Sequence, residues 1–442
     1  MNLRPVLLVI YLSLLLTLMF SACRRQTSTS VSPAERINQN ENKLTELIIY
    51  DIFTPPVAAR IYAYASLATY EAVRFKDSSY ISVTAQLHDF GKMPVPVAGK
   101  KYDYSLAAST AFFTVTHKVV FSIDSLKEYE DNIYGQYRTA DDDSVYTRSV
   151  SFGKAVAAVI LKRASTDNYP QTRGKPRFMG EDLPGKWRPT PPDYQDGVEF
   201  CWGTMHTFVT SGSSQFLLPA PPVPGTDSSS PYMKQNLEVY NHSRHMTEAE
   251  RDIARYWDDN PFVLQHSGHM MFANKKITPG GHWIGITAIA SRTSHASEVK
   301  TAAAYAMTSV AMFDAFISCW QVKYLTSYIR PVTVINASID KNWLPFLQTP
   351  PFPEYPSGHS TITRAAATVL TGLFGRDFSF QDTSDLRYIG MQRHFTSFVQ
   401  AADEASISRF YGGIHYLNSV NQGAIQGKEV SDYINSHLHL RK

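Results

Sequence analysis

Cysteine is scarce in this chain, whose 442 residues include only Cys23, Cys201 and Cys319. That is too few for a disulfide framework of the kind that small secreted proteins use. A bond between Cys201 and Cys319 is possible outside the cytoplasm, but nothing in the sequence requires it. Cys319 lies in the middle of a predicted helix and is most simply a buried core thiol.

An excess of one charge sign is also missing. The 42 Lys and Arg residues nearly balance the 39 Asp and Glu residues, giving a formal net charge of +3, and no basic block occurs. These features exclude the electrostatic surface that nucleic-acid binding needs, so no nucleic-acid partner is expected. A hydrophobic content of 43% and an aromatic content of 12% indicate a packed globule.

Alternating strand patterns with hairpin turns are absent, whereas apolar residues recur at helical spacing. We therefore predict an all-α protein with its helical domain over residues 42–442. The predicted helices cover residues 43–54, 57–75, 102–122, 149–164, 247–257, 284–295, 301–329, 357–373, 386–411 and 419–438. Residues 166–236, rich in Pro, Gly, Ser and Asp, are predicted to form loops over one end of the helical body.

The N-terminus has the pattern of a processing segment. Arg4 precedes an uncharged apolar run that ends at Cys23. This resembles a bacterial lipoprotein signal, with residues 1–22 as signal peptide, Cys23 as the lipidated residue and residues 23–41 as a flexible tether. The protein would then be exported and lipid-anchored in the bacterial cell envelope, facing the periplasm or the surface. An uncleaved anchor helix is the alternative.

Three short motifs near the C-terminus carry the residues suited to chemistry. They read Lys323-x6-Arg330-Pro331, Pro356-Ser357-Gly358-His359 and Ser408-Arg409-x5-His415. Together they offer three cations, two imidazoles, a small hydroxyl and a glycine amide. The cations can neutralise anionic oxygens, the hydroxyl and amide can donate hydrogen bonds, and an imidazole can attack or ligate a central atom. The set suits a tetrahedral oxyanion.

The spacing of these residues favours one shared site. Seven residues turn an α-helix through about 700°, so Lys323 and Arg330 are predicted to lie on the same face of one long helix that Pro331 ends. Ser357 is predicted to cap a new helix, whose free N–H groups and positive dipole end face the bound anion. Gly412 and Gly413 can break the next helix so that residues on either side reach inward.

Together, and in this order, the three motifs resemble the signature shared by type 2 phosphatidic acid phosphatases and vanadium-dependent haloperoxidases. Two details are similar to the haloperoxidase branch: Trp320, three residues before Lys323, and the run of residues 351–359 around Phe352. The resemblance covers roughly the last third of the chain, with the oxyanion site in residues 300–442. It implies two four-helix bundles in one domain.

The resemblance also implies a cofactor, substrates and residue roles. Vanadate would be the cofactor, and hydrogen peroxide and a halide the substrates, with iodide or bromide favoured over chloride. The residues implied to hold vanadate are Lys323, Arg330, Ser357, Gly358, His359, Arg409 and His415. His415 would be the vanadium ligand and His359 would take a proton from peroxide, while Trp320 and Phe352 would tune halide access.

One position departs from the family pattern. The last histidine is usually followed four residues later by an Asp that orients it, and here that residue is Ser419. A phosphatase needs a strongly nucleophilic histidine and would lose more by this change than a haloperoxidase. Asn418 or Asn421 is the expected substitute for the missing carboxylate.

Two aspartates and three histidines outside the motifs are further candidates for a role near the site. Asp258 or Asp259 could fix one arginine of the site, or could simply face solvent at a helix end. His266, His269 and His282 fit no standard zinc or iron spacing, and no carboxylate is placed to complete a set, so no metal-binding role is assigned.

Two alternatives to a haloperoxidase stay open. One is an acid phosphatase of the related class, in which His415 is the nucleophile and His359 protonates the leaving group. The other is a non-catalytic surface lipoprotein that binds an extracellular ligand. The second fits the motifs less well, because a binding protein has no need of two histidines around three cations.

Overall fold

The computed structural model describes residues 31–261, 264–267, 270–273 and 276–442, with side chains for 31–261 and 276–442. The predicted signal peptide and the lipidation site at Cys23 lie outside the described residues. Within the described part the chain is dominated by helices, which confirms the all-α prediction.

Helices α1 to α8 precede the first strand. They are α1 Pro33–Tyr50, α2 Pro55–Val73, α3 Tyr104–Val119, α4 Ile123–Arg138, α5 Asp143–Ala164, α6 Tyr169–Thr172, α7 Pro231–Ser243 and α8 Glu248–Tyr256. Helices α9 to α15 follow. They are α9 Pro279–Thr293, α10 Glu298–Thr326, α11 Pro331–Ser338, α12 Gly358–Phe374, α13 Leu386–Ile389, α14 Phe398–Tyr411 and α15 Leu417–His437.

Two short antiparallel ladders accompany the helices in the described part of the chain. Strand β1 Leu264–Ser267 pairs with β2 Met270–Ala273, and β3 Phe380–Asp382 pairs with β4 Arg393–Phe395. The second ladder brings Asp382 next to helix α9, which becomes important for the site.

The helices pack as two groups that share α10. In the first group α2 packs against α3 and α10, and α3 packs against α5; in the second, α12 packs against α10, α14 and α15. Every residue of α2 is buried, as expected for a mostly apolar helix, and its buried charges have partners: Arg60 pairs with Asp167 and Glu71 with Arg74. One continuous cluster of buried apolar side chains joins the groups, from Ile37 to Leu438.

Helix α10 is long and apolar enough to cross a membrane by length and composition. Its most apolar stretch is, however, wholly buried by neighbouring helices, so it serves as the central helix of the core. It is the one such candidate within the residues that the structure describes.

Two predicted boundaries were wrong, because capping residues begin or end helices at other positions. The predicted tether ends well before residue 41, since Ser32 caps α1 by accepting a hydrogen bond from the Glu35 N–H, and Pro33 occupies the first helical turn. The long helix predicted over residues 386–411 is interrupted, because Gly390 has a φ of 72° and ends α13. A strand follows before Ser397 caps α14.

The central helix also ends earlier than predicted. It stops at Thr326, where Ser327 adopts the left-handed conformation with φ 47° and ψ 45°. Pro331 begins α11 instead of ending a helix, with Arg330 as its N-cap residue. Lys323 and Arg330 are therefore not on one helical face, contrary to the prediction from their seven-residue spacing. Helix α4 was not predicted, and the 166–236 loops contain α6 and the start of α7.

Candidate active site

Lys323 lies in the last turn of α10 and is completely buried. Its Nζ donates to three backbone carbonyls of the proline-rich loop before α12: Pro353 at 2.9 Å, Glu354 at 3.1 Å and Pro356 at 2.5 Å. Burial, reinforced by the charge of Arg330, lowers the pKa of Lys323 to about 7. The three carbonyls thus hold the side chain in place, and an anion bound nearby would favour its charged form.

Arg330 reaches the same region from the left-handed turn that follows α10. Its Nε donates to the Phe352 carbonyl at 3.0 Å, and its Nη1 donates to the Ile414 carbonyl at 2.7 Å. The same Nη1 is 3.2 Å from His415 Nε2. Burial lowers the pKa of Arg330 to about 10, although the nearby Glu354 carboxylate opposes this shift.

The start of α12 supplies the central motif. Ser357 caps the helix, with its Oγ accepting from the Ser360 N–H at 3.4 Å, as predicted. The Ser357 N–H donates to the Ser419 carbonyl at 3.0 Å, which ties α12 to α15. Gly358 follows, and a Cβ at this position would lie 3.4 Å from the Trp320 ring and 3.7 Å from Lys323 Cε. A side chain there would therefore crowd the wall.

His359 is the next residue, and one of its nitrogens is available. Its ring forms a hydrogen bond with the backbone of Trp257, while its buried Nε2 has no hydrogen-bond partner among the described residues. Burial, together with the charges of Arg409, His282 and Lys323, holds the pKa of His359 well below its usual value. The imidazole is neutral at pH 7 and can accept a proton at Nε2.

Arg409, on the last turn of α14, is fully buried and only partly satisfied. Its Nη1 donates to the Trp257 carbonyl at 2.8 Å, but Nε and Nη2 have no partner within the described part of the chain. Burial lowers its pKa, and the charges of Asp258 and Asp259 partly offset this effect. Two buried guanidinium donors without a protein partner fit an anion bound in the cavity.

His415 follows the break between α14 and α15. The chain turns at Gly413, which has a φ of 75° and lies against Pro345 and Trp343, as the paired glycines predicted. His415 Nδ1 is 2.8 Å from Glu354 Oε1, which also accepts from the Tyr416 N–H at 3.0 Å. A carboxylate accepts only, so Nδ1 carries the proton and Nε2 keeps its lone pair.

Glu354 is the functional residue that sequence reasoning missed. Its Oε2 accepts a hydrogen bond from Ser419 Oγ at 2.5 Å, so the Glu354 carboxylate contacts both Ser419 and His415. Asn418 and Asn421, the predicted substitutes, are both exposed. The one available signal was an acidic residue inside a proline-rich loop beside the motif. Because His415 does have a carboxylate partner, the absence of Asp at position 419 does not count against a phosphatase.

These residues surround a narrow, partly open cavity. The lining residues are Pro55, Asp259, Asn260, Pro261, Pro279, Phe316, Trp320, Pro350, Phe352, Gly358, His359, Arg409 and His415. Lys323, Arg330 and Ser357 lie immediately behind this lining. All seven residues that were predicted to bind the oxyanion therefore meet in one place.

Two aromatic rings form one wall of the cavity. The ring centroids of Trp320 and Phe352 are 5.2 Å apart, and Trp320 Nε1 donates to the Val198 carbonyl at 3.2 Å. Lys323 Nζ lies 5.0 Å and Arg330 Cζ 5.1 Å from the Phe352 centroid. The wall is therefore mainly apolar and is backed by positive charge.

The remaining predicted polar residues have partners other than those expected. Asp258 is paired with Lys276 at 2.5 Å, and Asp259 faces His282, so neither carboxylate is hydrogen-bonded to Arg409. His282 does have carboxylates around it, contrary to the prediction. The side chains of His266 and His269 lie outside the described residues, and Cys201 and Cys319 are both free thiols.

The site can hold an anion with several oxygens. Three buried cations converge here. The Glu354 carboxylate near Arg330 hydrogen-bonds to His415, while Asp258 and Asp259, whose charges act on Arg409, are paired with Lys276 and His282. Among the unpartnered atoms, Arg409 Nε and Nη2 are donors to the oxygens of a tetrahedral oxyanion, and His359 Nε2 is an acceptor for a hydroxyl group on that anion.

Comparison with known proteins agrees with this geometry. The family model described as the VCPO second helical-bundle domain matches residues 303–440. A crystal structure described as the first bacterial vanadium-dependent iodoperoxidase is 41% identical in sequence, with a TM-score of 0.88, and the match covers 95% of this chain and 99% of that one. No curated protein matches.

More distant structures share the fold. The holo-type and apo-type structures of a bacterial vanadium-dependent chloroperoxidase are each 17% identical, with TM-scores of 0.67 and 0.66. Each match covers 88% of this chain, with 94% of the holo-type chain and 96% of the apo-type chain. The chain belongs to the vanadium-dependent haloperoxidases, enzymes that use vanadate to oxidise a halide with hydrogen peroxide.

Proposed function

We propose that this haloperoxidase oxidises iodide to hypoiodous acid, with vanadate held by the seven residues of the three motifs. The iodoperoxidase that is 41% identical over 95% of the chain supports iodide as the substrate. The aromatic wall of Trp320 and Phe352 supports it too, because iodide is the most polarisable and least strongly hydrated of the common halides. It therefore loses least on leaving water for such a surface.

The observation that carries the proposal is the set of uncompensated positive charges around the cavity. Lys323, Arg330 and Arg409 are buried to 0% exposure, and two guanidinium nitrogens of Arg409 have no partner in the described structure. Vanadate would be held by these cations, by Ser357 Oγ and the Gly358 N–H, and by His359 and His415. When bound, it supplies an electrophilic centre that activates peroxide without a change in metal oxidation state.

His359 is the proposed acid–base group. Its pKa is held well below its usual value, so the ring is neutral and Nε2 is able to take the proton that hydrogen peroxide loses on binding. The hydrogen bond with the Trp257 backbone fixes the ring, which keeps Nε2 directed into the cavity. The same nitrogen returns the proton when hypohalous acid leaves.

His415 is the proposed vanadium ligand. Glu354 holds the proton on Nδ1, and Arg330 Nη1 donates toward Nε2 at 3.2 Å, so Nε2 is an acceptor in this structure. Burial and the three cations hold the pKa of His415 well below its usual value, which keeps the lone pair available. Glu354 thus orients the imidazole as the carboxylate partner of a metal-binding histidine does.

The first prediction concerns activity. Purified protein lacking residues 1–22, incubated with orthovanadate, should oxidise iodide with hydrogen peroxide faster than bromide, and His415→Ala should abolish this activity. The measurement is peroxide-dependent halogenation compared with p-nitrophenyl phosphate cleavage. Phosphate ester cleavage inhibited by vanadate would instead identify a phosphatase, and neither activity would identify a binding protein.

The second prediction concerns Lys323 and pH. Its pKa is about 7 without an anion, so the ammonium is present below about pH 7 and is lost above it. Affinity for tungstate, a tetrahedral dianion that does not titrate near neutrality, should be constant below that pH and fall by up to about tenfold per unit above it. Lys323→Met should bind more weakly and with a smaller slope, as measured by calorimetry, because the slope that remains comes from Glu354, whose pKa burial raises to about 7.

Two results would contradict this assignment. Tungstate affinity of the wild-type protein that stays constant between about pH 6 and pH 9 would show that Lys323 does not titrate in this range. A slope of equal size in Lys323→Met would show that another group causes it.

The third prediction tests Glu354 by moving its carboxylate. Glu354→Ala should lower vanadate affinity by about 10- to 100-fold, because His415 loses the partner that fixes its tautomer. Adding Ser419→Asp should restore much of the affinity, since Ser419 Oγ lies 2.5 Å from the carboxylate oxygen that is removed. Ser419→Asp alone is the control and should weaken binding by placing two carboxylates together. No recovery in the double variant would contradict the positioning role.

We also propose that the protein is a lipid-anchored envelope protein. The support is the sequence pattern of residues 1–22 followed by Cys23. The fourth prediction is that metabolically supplied fatty acid labels the wild-type protein but not Cys23→Ala, which should also keep its N-terminal segment. Membrane association without any label would favour the uncleaved anchor helix instead.

A further inference from the structure

A second buried cluster of charged groups lies behind the cavity. His282 on α9 is fully buried, with Nδ1 3.2 Å from both oxygens of Asp259 and Nε2 2.9 Å from Asp382 Oδ2. Asp385 Oδ2 lies 3.7 Å from the same Nδ1. These residues come from three separate parts of the sequence, so no spacing motif predicts that they form a cluster.

The arrangement fits a charged histidine better than a metal ion. Asp259, His282 and Asp385 place ligand-type atoms within 4.8 Å of one another, as a metal site would. Both ring nitrogens of His282, however, face carboxylate oxygens at hydrogen-bond distance. Carboxylates only accept, so both nitrogens carry protons and neither has a lone pair for a metal. The positive charge that balances these carboxylates is therefore the protonated His282 ring and not a metal ion.

The charges of the cluster support this protonation state. Burial alone would lower the pKa of His282, but the Asp259 and Asp382 carboxylates raise it well above its usual value. Asp382 also accepts from the Ser384 N–H at 3.0 Å, so its carboxylate is fixed independently of His282. Burial raises the pKa of Asp385 to about 7, and the charges of Asp259 and Asp382 add to this shift.

The cluster contacts the cavity through one short segment. The ring of Trp257 stacks on His282 with centroids 4.4 Å apart and planes at 21°. The backbone of Trp257 holds both Arg409 and His359 by hydrogen bonds. Asp259 lines the cavity, with Oδ2 4.0 Å from His359 Nε2. His282 thus contacts both Trp257 and Asp259, the two residues that lie next to Arg409 and His359.

We propose that His282 is a positioning residue, an imidazolium held between Asp382 and Asp259 that fixes residues 257–259 against Arg409 and His359. This inference rests on the proposed oxyanion site and adds to it the residues that hold its lining in position. A neutral side chain cannot replace the imidazolium, because it cannot donate in opposite directions to two carboxylates. Without it, Asp259 and the Trp257 carbonyl lose their fixed positions, and the cavity loses the arrangement that matches the anion.

The experiment compares orthovanadate dissociation constants, measured by calorimetry on the purified chain. His282→Gln should raise the constant by about tenfold or more. Asp382→Asn keeps the volume of the side chain and should act in the same direction. The double variant should bind about as weakly as His282→Gln alone, because the two residues act as one unit.

A matched control separates positioning from general loss of stability. Asp167→Asn breaks the buried pair with Arg60, whose Nε–Oδ2 distance is 2.6 Å, in the other group of helices. It should lower the melting temperature comparably yet leave the vanadate constant within about twofold. If His282→Gln does not fold, Asp382→Asn carries the same comparison.

Three results would overturn the inference. One is vanadate affinity of folded His282→Gln, or of Asp382→Asn, within about twofold of wild type. Another is a double variant whose loss equals the product of the single losses. The third is a stoichiometric divalent metal in the wild-type protein that His282→Gln lacks, measured by mass spectrometry. A wild-type chain that takes up no vanadate would refute the proposed function, and this inference with it.

Discussion

The structure of the site depends on one electrostatic constraint: three buried cations converge with too little negative charge beside them. A buried unpaired cation costs several kcal/mol, so such a cluster persists only if other interactions hold it and an anion completes it. Here Lys323 is held by three carbonyls of one loop, and Arg330 by two carbonyls from different loops. Folding thus fixes the positions of the cations before an anion binds. Such electrostatic preorganisation means that little rearrangement is needed on binding.

The two histidines of the site are tuned by different partners. His415 has a carboxylate on its far nitrogen, whereas His359 has only a backbone partner there. The first arrangement fixes a tautomer with a directed lone pair, and the second leaves a neutral ring free to exchange a proton. One fold therefore gives two imidazoles in the same cavity distinct chemical properties.

Much of this could be predicted from the sequence, because local signals were strong. Helical periodicity gave the all-α fold, Ser357 was correctly predicted as a cap, and Gly413 as a break in the chain. The meeting of Lys323, Arg330, Arg409 and His415 was predicted, although Lys323 and Arg330 do not share one helix as expected. Ser327 adopts a left-handed conformation that nothing local required, so Arg330 reaches the site from a turn and not from a helical face.

The contacts that escaped prediction join residues far apart in the chain. Glu354 is separated from His415 by 61 residues, and His282 from Asp382 by 100. Ser419 stands where the family pattern has an Asp, so the sequence alone suggests that His415 has lost its carboxylate partner. In the folded chain Glu354, from the loop before α12, supplies that carboxylate. Its position depends on the packing of α12 against α15, which sequence spacing does not reveal.

The central claim is that the uncompensated cations and His415 together bind one tetrahedral oxyanion. The most direct test is a crystal structure of the protein grown with orthovanadate. Our account predicts vanadium density in the cavity, bonded to His415 Nε2, with its oxygens contacting Arg409 Nε and Nη2 and His359 Nε2. Vanadate found elsewhere, or His415 still bonded only to Arg330 and Glu354, would contradict it.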